Sequence, residues 1–272
     1  MFQDIPESVD IEYDPAPAEQ GDRMLCYDGR SVLVRIEDNK AVLPKLCELD
    51  SDCEKVFVFR ADGIRYFLCL EKASAKGFGF EPLNTVRYVA ADTDQYAVVT
   101  GYHYYCFHAE SRFCSVCGER LEHDPYKRCM VCTGCENEVY PKIAPAVILG
   151  IIDEETDSIL LTRYAGREYK KYALVAGFIE MGESAEAAAE REAMEETGLK
   201  IKDIEFFADQ PWGFAQNLLI GFFAKVTGSR EIKMDTSELA EAVWVKREDV
   251  PAQPGGISLT SEMMWAFKSS QR

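Results

Sequence analysis

From Gly177 to Leu199 the chain reads Gly-Phe-Ile-Glu-Met-Gly-Glu-Ser-Ala-Glu-Ala-Ala-Ala-Glu-Arg-Glu-Ala-Met-Glu-Glu-Thr-Gly-Leu. Residues 185–197 are almost all strong helix formers, with Ser184 placed to cap the start and Gly198 to stop the end. The composition predicts a loop feeding a helix. On that helix Glu192, Glu195 and Glu196 fall at i, i+3 and i+4, so three carboxylates project from one face. Glu183, at the end of the loop, can reach the same space. Carboxylates held that close repel, and some would take up protons unless a cation held them. Hard divalent ions with oxygen ligands, Mg²⁺ or Mn²⁺, suit such a set. A Glu-rich helix in an acidic protein is more often only a solvated face, so the helix alone does not choose between these readings.

The spacing does. Gly177, Glu183, Arg191, Glu192, Glu195, Glu196 and Gly198 stand in the register Gly-x5-Glu-x7-Arg-Glu-x2-Glu-Glu-x-Gly, with aliphatic Leu199 after it. At ordinary residue usage such a match arises by chance in roughly one chain in a million. The stretch resembles the Nudix box. One departure is Ala193, where a larger aliphatic residue is usual; it predicts a smaller core contact and no loss of chemistry. The resemblance implies an α/β/α sandwich that hydrolyses a nucleoside diphosphate linked to another moiety. It makes Glu192, Glu195 and Glu196 ligands of Mg²⁺ or Mn²⁺, leaving one carboxylate of the group to take the proton of the attacking water. Arg191 is expected to pair with the neighbouring carboxylates and set their geometry.

The rest of the chain narrows this. A net charge of −17 argues against broad electrostatic binding of nucleic acid or acidic membranes. No long apolar run predicts a membrane span, and the N-terminus has neither the basic region nor the apolar core of a leader. Ten cysteines then suggest reduced thiols and a metal in a cytoplasmic protein. Residues 1–22, acidic and Pro-rich, read as a flexible lead-in, at least in part. Short strands follow between Met24 and Leu70, with Asp62-Gly63 marking a hairpin. Cys26, Cys47, Cys53 and Cys69 lack metal spacing and read as buried thiols. A helix is predicted from Asp92 to Glu110, with Tyr96, Val99, His103, Cys106 and Phe107 on one apolar stripe. His103 and His108, with no evident partner, read as packing or surface residues.

Cys114-x2-Cys117 and Cys132-x2-Cys135, 14 residues apart, read as a tetrahedral four-thiolate zinc site. Cys129-x2-Cys132 offers a second register; the flanking residues favour Cys132 with Cys135. Four thiolates leave no open position, so this zinc serves folding. Strands are predicted at 146–152, 158–163, 172–178, 201–207, 218–226 and 242–246, and a terminal helix at 257–268. The organisation expected is an N-terminal domain ending in a helix (1–110), a zinc ribbon (111–140) and a Nudix domain (141–272). The fold class is α+β: a Nudix sandwich preceded by the ribbon and a small β-containing domain.

A ribbon placed just ahead of the sandwich is similar to the NADH pyrophosphatase subfamily. So is Asp209-Gln-Pro-Trp-Gly-Phe-Ala-Gln-Asn217, where Gln210, Pro211, Trp212 and Phe214 match that subfamily's Ser-Gln-Pro-Trp-Pro-Phe-Pro-x-Ser. Asp209, Gly213, Ala215 and Asn217 depart, and losing two prolines is expected to loosen the loop. By this resemblance Ala176 and Phe178 border the nicotinamide. Tyr140 and residues 210–217 shape the nucleotide pocket, and Arg87 and Ser258 make weaker contacts. Glu238 adds a metal or catalytic carboxylate, Glu241 is its plain neighbour, and Lys127 stands where some members carry an acid. The function implied is cleavage of NAD(H) to NMN(H) and AMP, removal of NAD caps from RNA 5′ ends included, by a homodimer. Two alternatives stand beside it: a Nudix hydrolase of ADP-ribose or dinucleoside polyphosphates, and a nucleotide sensor that binds without cleaving, which the intact Glu set disfavours.

Overall fold

The acidic segment before Arg23 is tied down by arginines. In this computed structural model, which describes residues 1–50, 52–166, 171–251 and 258–269, Arg60 reaches Asp10 at 3.2 Å and Asp14 at 3.3 Å, and Arg65 grips Asp22 at 2.6 Å. Charge pairing thus holds parts of the segment expected to be a flexible lead-in. The chain divides into two units. One holds Gln3–Ile143 and Trp212–Gln216; the other holds Met1–Phe2, Ala144–Pro211 and Asn217–Arg272.

In the first unit, strands β1 (Val9–Asp10), β2 (Arg23–Leu25), β3 (Tyr27–Asp28), β4 (Ser31–Glu37), β5 (Lys40–Val42), β6 (Lys55–Ala61), β7 (Ile64–Cys69) and β8 (Gly79–Pro82) build two small sheets. The β6–β7 turn places Asp62 and Gly63 both at positive φ, the geometry Asp-Gly favours in a two-residue hairpin. Cys26 and Cys69 are buried as expected and Cys53 is partly so, but Cys47 is exposed. A one-turn helix α1 (Leu83–Val86) precedes α2 (Thr93–Glu110), capped by the Asp92 side chain. Helix α2 is not an amphipathic stripe. Gln95, Ala97, Val98, Val99, Gly101, Tyr102, Cys106 and Phe107 are buried around most of its circumference, because strands β2, β5, β6 and β7 and the segment 213–215 all pack on it. Strands β9 (Leu121–His123), β10 (Met130–Cys132) and β11 (Glu138–Val139) form the ribbon sheet.

The second unit is a mixed six-stranded sheet of β12 (Ala144–Asp153), β13 (Ser158–Tyr164), β14 (Val175–Phe178), β15 (Lys200–Trp212), β16 (Asn217–Thr227) and β17 (Leu239–Lys246). Its order is β15-β16-β12-β13-β17, with β14 paired to β12. Strand β12 is apolar at nearly every position because both faces are covered. Val147, Leu149 and Ile151 pack with α3 (Ala185–Thr197), while Ile148 faces the cluster of α4 (Leu259–Lys268). This is the expected α/β/α sandwich. Ala193 is fully buried in the α3 core, the smaller contact foreseen. Strand β15 runs on to Trp212, past the predicted end at Phe207. Helix α4 starts at Leu259; Ile257, where its start was expected, lies outside the described residues.

Candidate active site and zinc centre

Helix α3 begins where the Ser184 side chain accepts from Ala187 N, and ends at Gly198 in the left-handed conformation. Its box residues converge on one guanidinium. Arg191 Nε donates to Glu183 Oε1 at 2.9 Å, Nη1 to Glu192 Oε1 at 2.7 Å and Glu195 Oε2 at 2.9 Å, and Nη2 to Glu183 Oε2 and the Phe178 carbonyl, both at 2.9 Å. All five donors of the side chain are used. Arg191 holds the Glu183 carboxyl down at about 2 by hydrogen bonding, helped by the Glu180 amide. Burial pushes Glu192 the other way. Its pKa is raised by desolvation, and the negative charges of Glu195 and Glu238 add to that against the pull of Arg191. Glu196 is 2% exposed and Glu192 9%, whereas Glu195 and Glu238 face solvent.

The Glu192 carboxylate lies against Gly177 of β14, so closely that a Cβ there would overlap it. A cradle cleared for a desolvated carboxylate, with further carboxylate charges felt at the same point, fits a hard divalent cation and its oxygen ligands. Glu241 is engaged elsewhere, by Arg163 at 2.9 Å and by the Tyr172 hydroxyl.

The remaining candidates fall into two groups. In the sandwich, Ala176 and Phe178 lie on β14 opposite Ile148 and Ala146, with Phe178 56% exposed. Gln210 is fully buried, its Oε1 accepting from Leu259 N at 2.7 Å, and the Ser258 side chain accepts from Ser261 N. Both side chains therefore cap α4. Pro211 ends this unit's part of β15, and Asn217 opens β16 with Oδ1 buried and lacking a hydrogen bond among the described residues. In the first unit the Tyr140 hydroxyl donates to Glu138 Oε2 at 2.5 Å, and Lys127 binds Glu138 Oε1 at 2.6 Å. The base at position 127 thus brings its own acid.

Trp212 and Phe214 also lie in the first unit, with ring centroids 5.0 Å apart. The Arg87 guanidinium sits 4.9 Å from the Trp212 ring and 5.9 Å from that of Phe214. The loop carrying them is fixed without its prolines. Gly213 packs on α2 so tightly that a Cβ would overlap the Val99 carbonyl. Arg30 Nη1 donates to the Phe214 carbonyl, and Gln216 Nε2 donates to Cys106 Sγ at 3.3 Å. The segment expected to be loosened is thus packed on α2 despite the missing prolines.

Cys114, Cys117, Cys132 and Cys135 bring their four sulfurs within 4.8 Å of one another. A tetrahedral zinc with bonds of ~2.3 Å sets sulfurs about 3.8 Å apart; here Cys114 and Cys135 are 3.7 Å apart and Cys117 and Cys132 3.3 Å. Backbone amides point at two of the sulfurs, which lowers the Cys114 thiol to about 6, chiefly through the Cys117 amide, and lowers Cys132 through that of Cys135. Cys129 is fully buried outside the set, so the preferred register holds. The histidines are structural: His103 Nε2 meets the Lys142 carbonyl at 2.8 Å, and His108 is buried against His123 and Phe107. Sequence reading missed Glu138 and Gln95, and took Gly213 only as a lost proline. For Gln95 a signal existed, a Gln three residues after the Asp92 cap, but that pattern points to a capping box and not to the contacts it makes.

Comparison with known proteins agrees with this geometry. Residues 142–263 match the NUDIX domain, and residues 109–140 match the NADH pyrophosphatase zinc ribbon domain. The chain is 39% identical over 148 residues to the NAD-capped RNA hydrolase NudC of Salmonella typhi, covering 54% of this chain and 56% of that protein. The protein of the same name from Salmonella heidelberg (strain SL476) gives the same identity and coverage. The chain thus spans about half the length of the curated relatives it matches. A NUDIX hydrolase from Nitrosomonas europaea shares the fold at a TM-score of 0.50 and 22% identity, over 59% of this chain and 92% of that one. This chain carries a Nudix domain, preceded directly by a zinc ribbon of the NADH pyrophosphatase kind.

Proposed function

We propose that this protein hydrolyses the diphosphate bond of NAD(H), releasing NMN(H) and AMP, and acts on the same bond in NAD-capped RNA 5′ ends. The observation that carries the reading is the carboxylate set gathered around Arg191, on a helix whose Glu192 is desolvated and cradled by Gly177. Glu192, Glu195, Glu196 and Glu238 would hold Mg²⁺ or Mn²⁺, which supplies charge neutralisation for the diphosphate and acidifies the attacking water. Arg191 keeps Glu183, Glu192 and Glu195 in place through four hydrogen bonds, and its fifth, to the Phe178 carbonyl, ties it to β14. Ala176 and Phe178 would border the nicotinamide, Tyr140, Arg87, Trp212 and Phe214 would meet nucleotide rings, and Gln210, Pro211, Asn217 and Ser258 would support substrate binding through backbone and caps. The zinc serves the fold of the ribbon. The working form would be a homodimer, in a cytoplasmic compartment reducing enough to keep the zinc thiolates from oxidation.

A substrate panel tests this. With Mg²⁺ or Mn²⁺ present, kcat/KM for NADH is expected to exceed that for ADP-ribose and diadenosine polyphosphates. A higher value for ADP-ribose would move the substrate assignment within the Nudix hydrolases, and no cleavage of any diphosphate would make the chain a binding module.

A further inference from the structure

The Arg87 side chain is held at the end of a helix only four residues long, α1, followed by an irregular turn. A short helix leaves its last carbonyls without intrahelical partners, and a segment that ends so would be free to shift. Here backbone amides of Arg87, Tyr88 and Val89 reach the carbonyls of Leu83, Thr85 and Val86, and one side chain ties the turn that follows to α2. Gln95, fully buried in the first turn of α2, donates its amide Nε2 to the carbonyls of Val86 at 2.9 Å, Arg87 at 3.4 Å and Val89 at 3.2 Å. Two amide protons shared over three carbonyls fix the amide orientation, since the flipped form would set oxygen against oxygen. The cost is visible on the other side: Gln95 Oε1 is buried with no hydrogen-bond partner among the described residues. A buried acceptor left unmade is unfavourable, so this side chain stands here for its donors. The backbone it clamps carries the guanidinium that lies over Trp212 and Phe214, and Arg87 Nε has no hydrogen-bond partner among the described residues. The guanidinium's place is thus set by its rings and by the Gln95 clamp on its own main chain.

We infer that Gln95 is a positioning residue: it clamps the 86–89 turn so that Arg87 is presented to the Trp212–Phe214 pair for recognition of a dinucleotide substrate. The recognition half rests on the function proposed above; the positioning half does not. Gln95 touches no substrate in this account and acts through Arg87. Because the clamp works on binding, its loss raises KM and spares kcat.

The test uses the full chain with Trp244 and Trp265 replaced by phenylalanine, leaving Trp212 as the one fluorophore of its kind. Gln95→Met keeps the side-chain volume and helix preference and removes the donors. Its Trp212 should become more accessible to acrylamide, as it should in Arg87→Met. In the otherwise unaltered protein Gln95→Met should raise KM for NADH about fivefold, the scale of a lost cation–ring contact, with kcat within about twofold. Added to Arg87→Met it should raise KM no further, because the group it positions is already gone. A purely structural glutamine would lower the melting temperature without these effects. Unchanged Trp212 quenching, or a full additional KM increase in the double variant, would overturn the proposal. Should Gln95→Met not fold, Gln95→Asn, whose amide is one methylene short of the carbonyls, is read the same way. A wild-type protein that cleaves no dinucleotide would overturn the function reading, while the quenching experiment would still decide the positioning.

Discussion

Arg191 saturates its five donors on three carboxylates and a carbonyl, and that single residue explains how Glu183, Glu192 and Glu195 of a −17 chain can be held side by side. A lysine could not replace it, because an ammonium is a point charge without the planar fork. Replacing Glu195 or Glu196 by glutamine should lower turnover by at least roughly two orders of magnitude with the fold intact, as loss of a ligand charge would. Near-wild-type turnover at saturating Mg²⁺ would remove both from the ligand set. The Glu183–Arg191 pair also makes a pH prediction. Glu183 is depressed from 4.5 to about 2, so its stabilising effect is complete above pH 4.5 and fades as pH falls toward 2. Glu183→Gln should therefore be less stable than wild type near neutrality and lose less stability through that acid window, as urea titrations at several pH values would show. These residues were readable in the sequence because one helix and its feeding loop hold them all, so spacing alone fixes their common face. Gln95 was not, since nothing in the local sequence says that a side chain of α2 will close the carbonyls of a turn six to nine residues before it.

At the level of elements, the ribbon was legible and the 212–216 segment was not. Paired Cys knuckles carry their geometry in their spacing, and the four sulfurs gather as expected. Cys135→Ser should lose zinc and stability, and Cys129→Ser should keep its zinc; metal analysis of the two purified variants decides the register. The segment after Pro211 looked loosened because prolines were missing. In the structure it is held by tertiary contact, Gly213 on the Val99 carbonyl and buried Phe214 with its carbonyl accepting from Arg30, which no local pattern reveals. The same contact makes an unusual prediction: Gly213→Pro, which restores the subfamily's residue, should destabilise this chain by about 1–3 kcal/mol, the range for forcing atoms into a filled space. Thermal unfolding measures it, and an unchanged or raised melting temperature would show that the loop does not depend on α2. The strands were found nearly in place because alternation or continuous apolar runs mark them, whereas the burial of α2 on most sides erased the periodicity that a single stripe would have shown.

For the whole molecule, the charge of −17 sets a condition on any RNA reaction. A capped RNA must reach the diphosphate site past an acidic surface and bind through a local basic strip, a contact that added salt screens. The ratio of NAD-capped oligonucleotide cleavage to free NAD⁺ cleavage should fall as ionic strength rises from 50 to about 200 mM, the range over which phosphate contacts lose most of their strength. A ratio independent of salt would mean that only the cap is recognised. The activity proposed for the acids around Arg191 is hydrolysis between the two phosphates of NAD(H). Product analysis by chromatography, wild type beside Glu195→Gln, addresses it directly. With NADH and Mg²⁺ or Mn²⁺, wild type should yield NMNH and AMP in equal amounts and Glu195→Gln almost none. Release of nicotinamide, products that fail to appear in equal amounts, or undiminished cleavage by Glu195→Gln would contradict it.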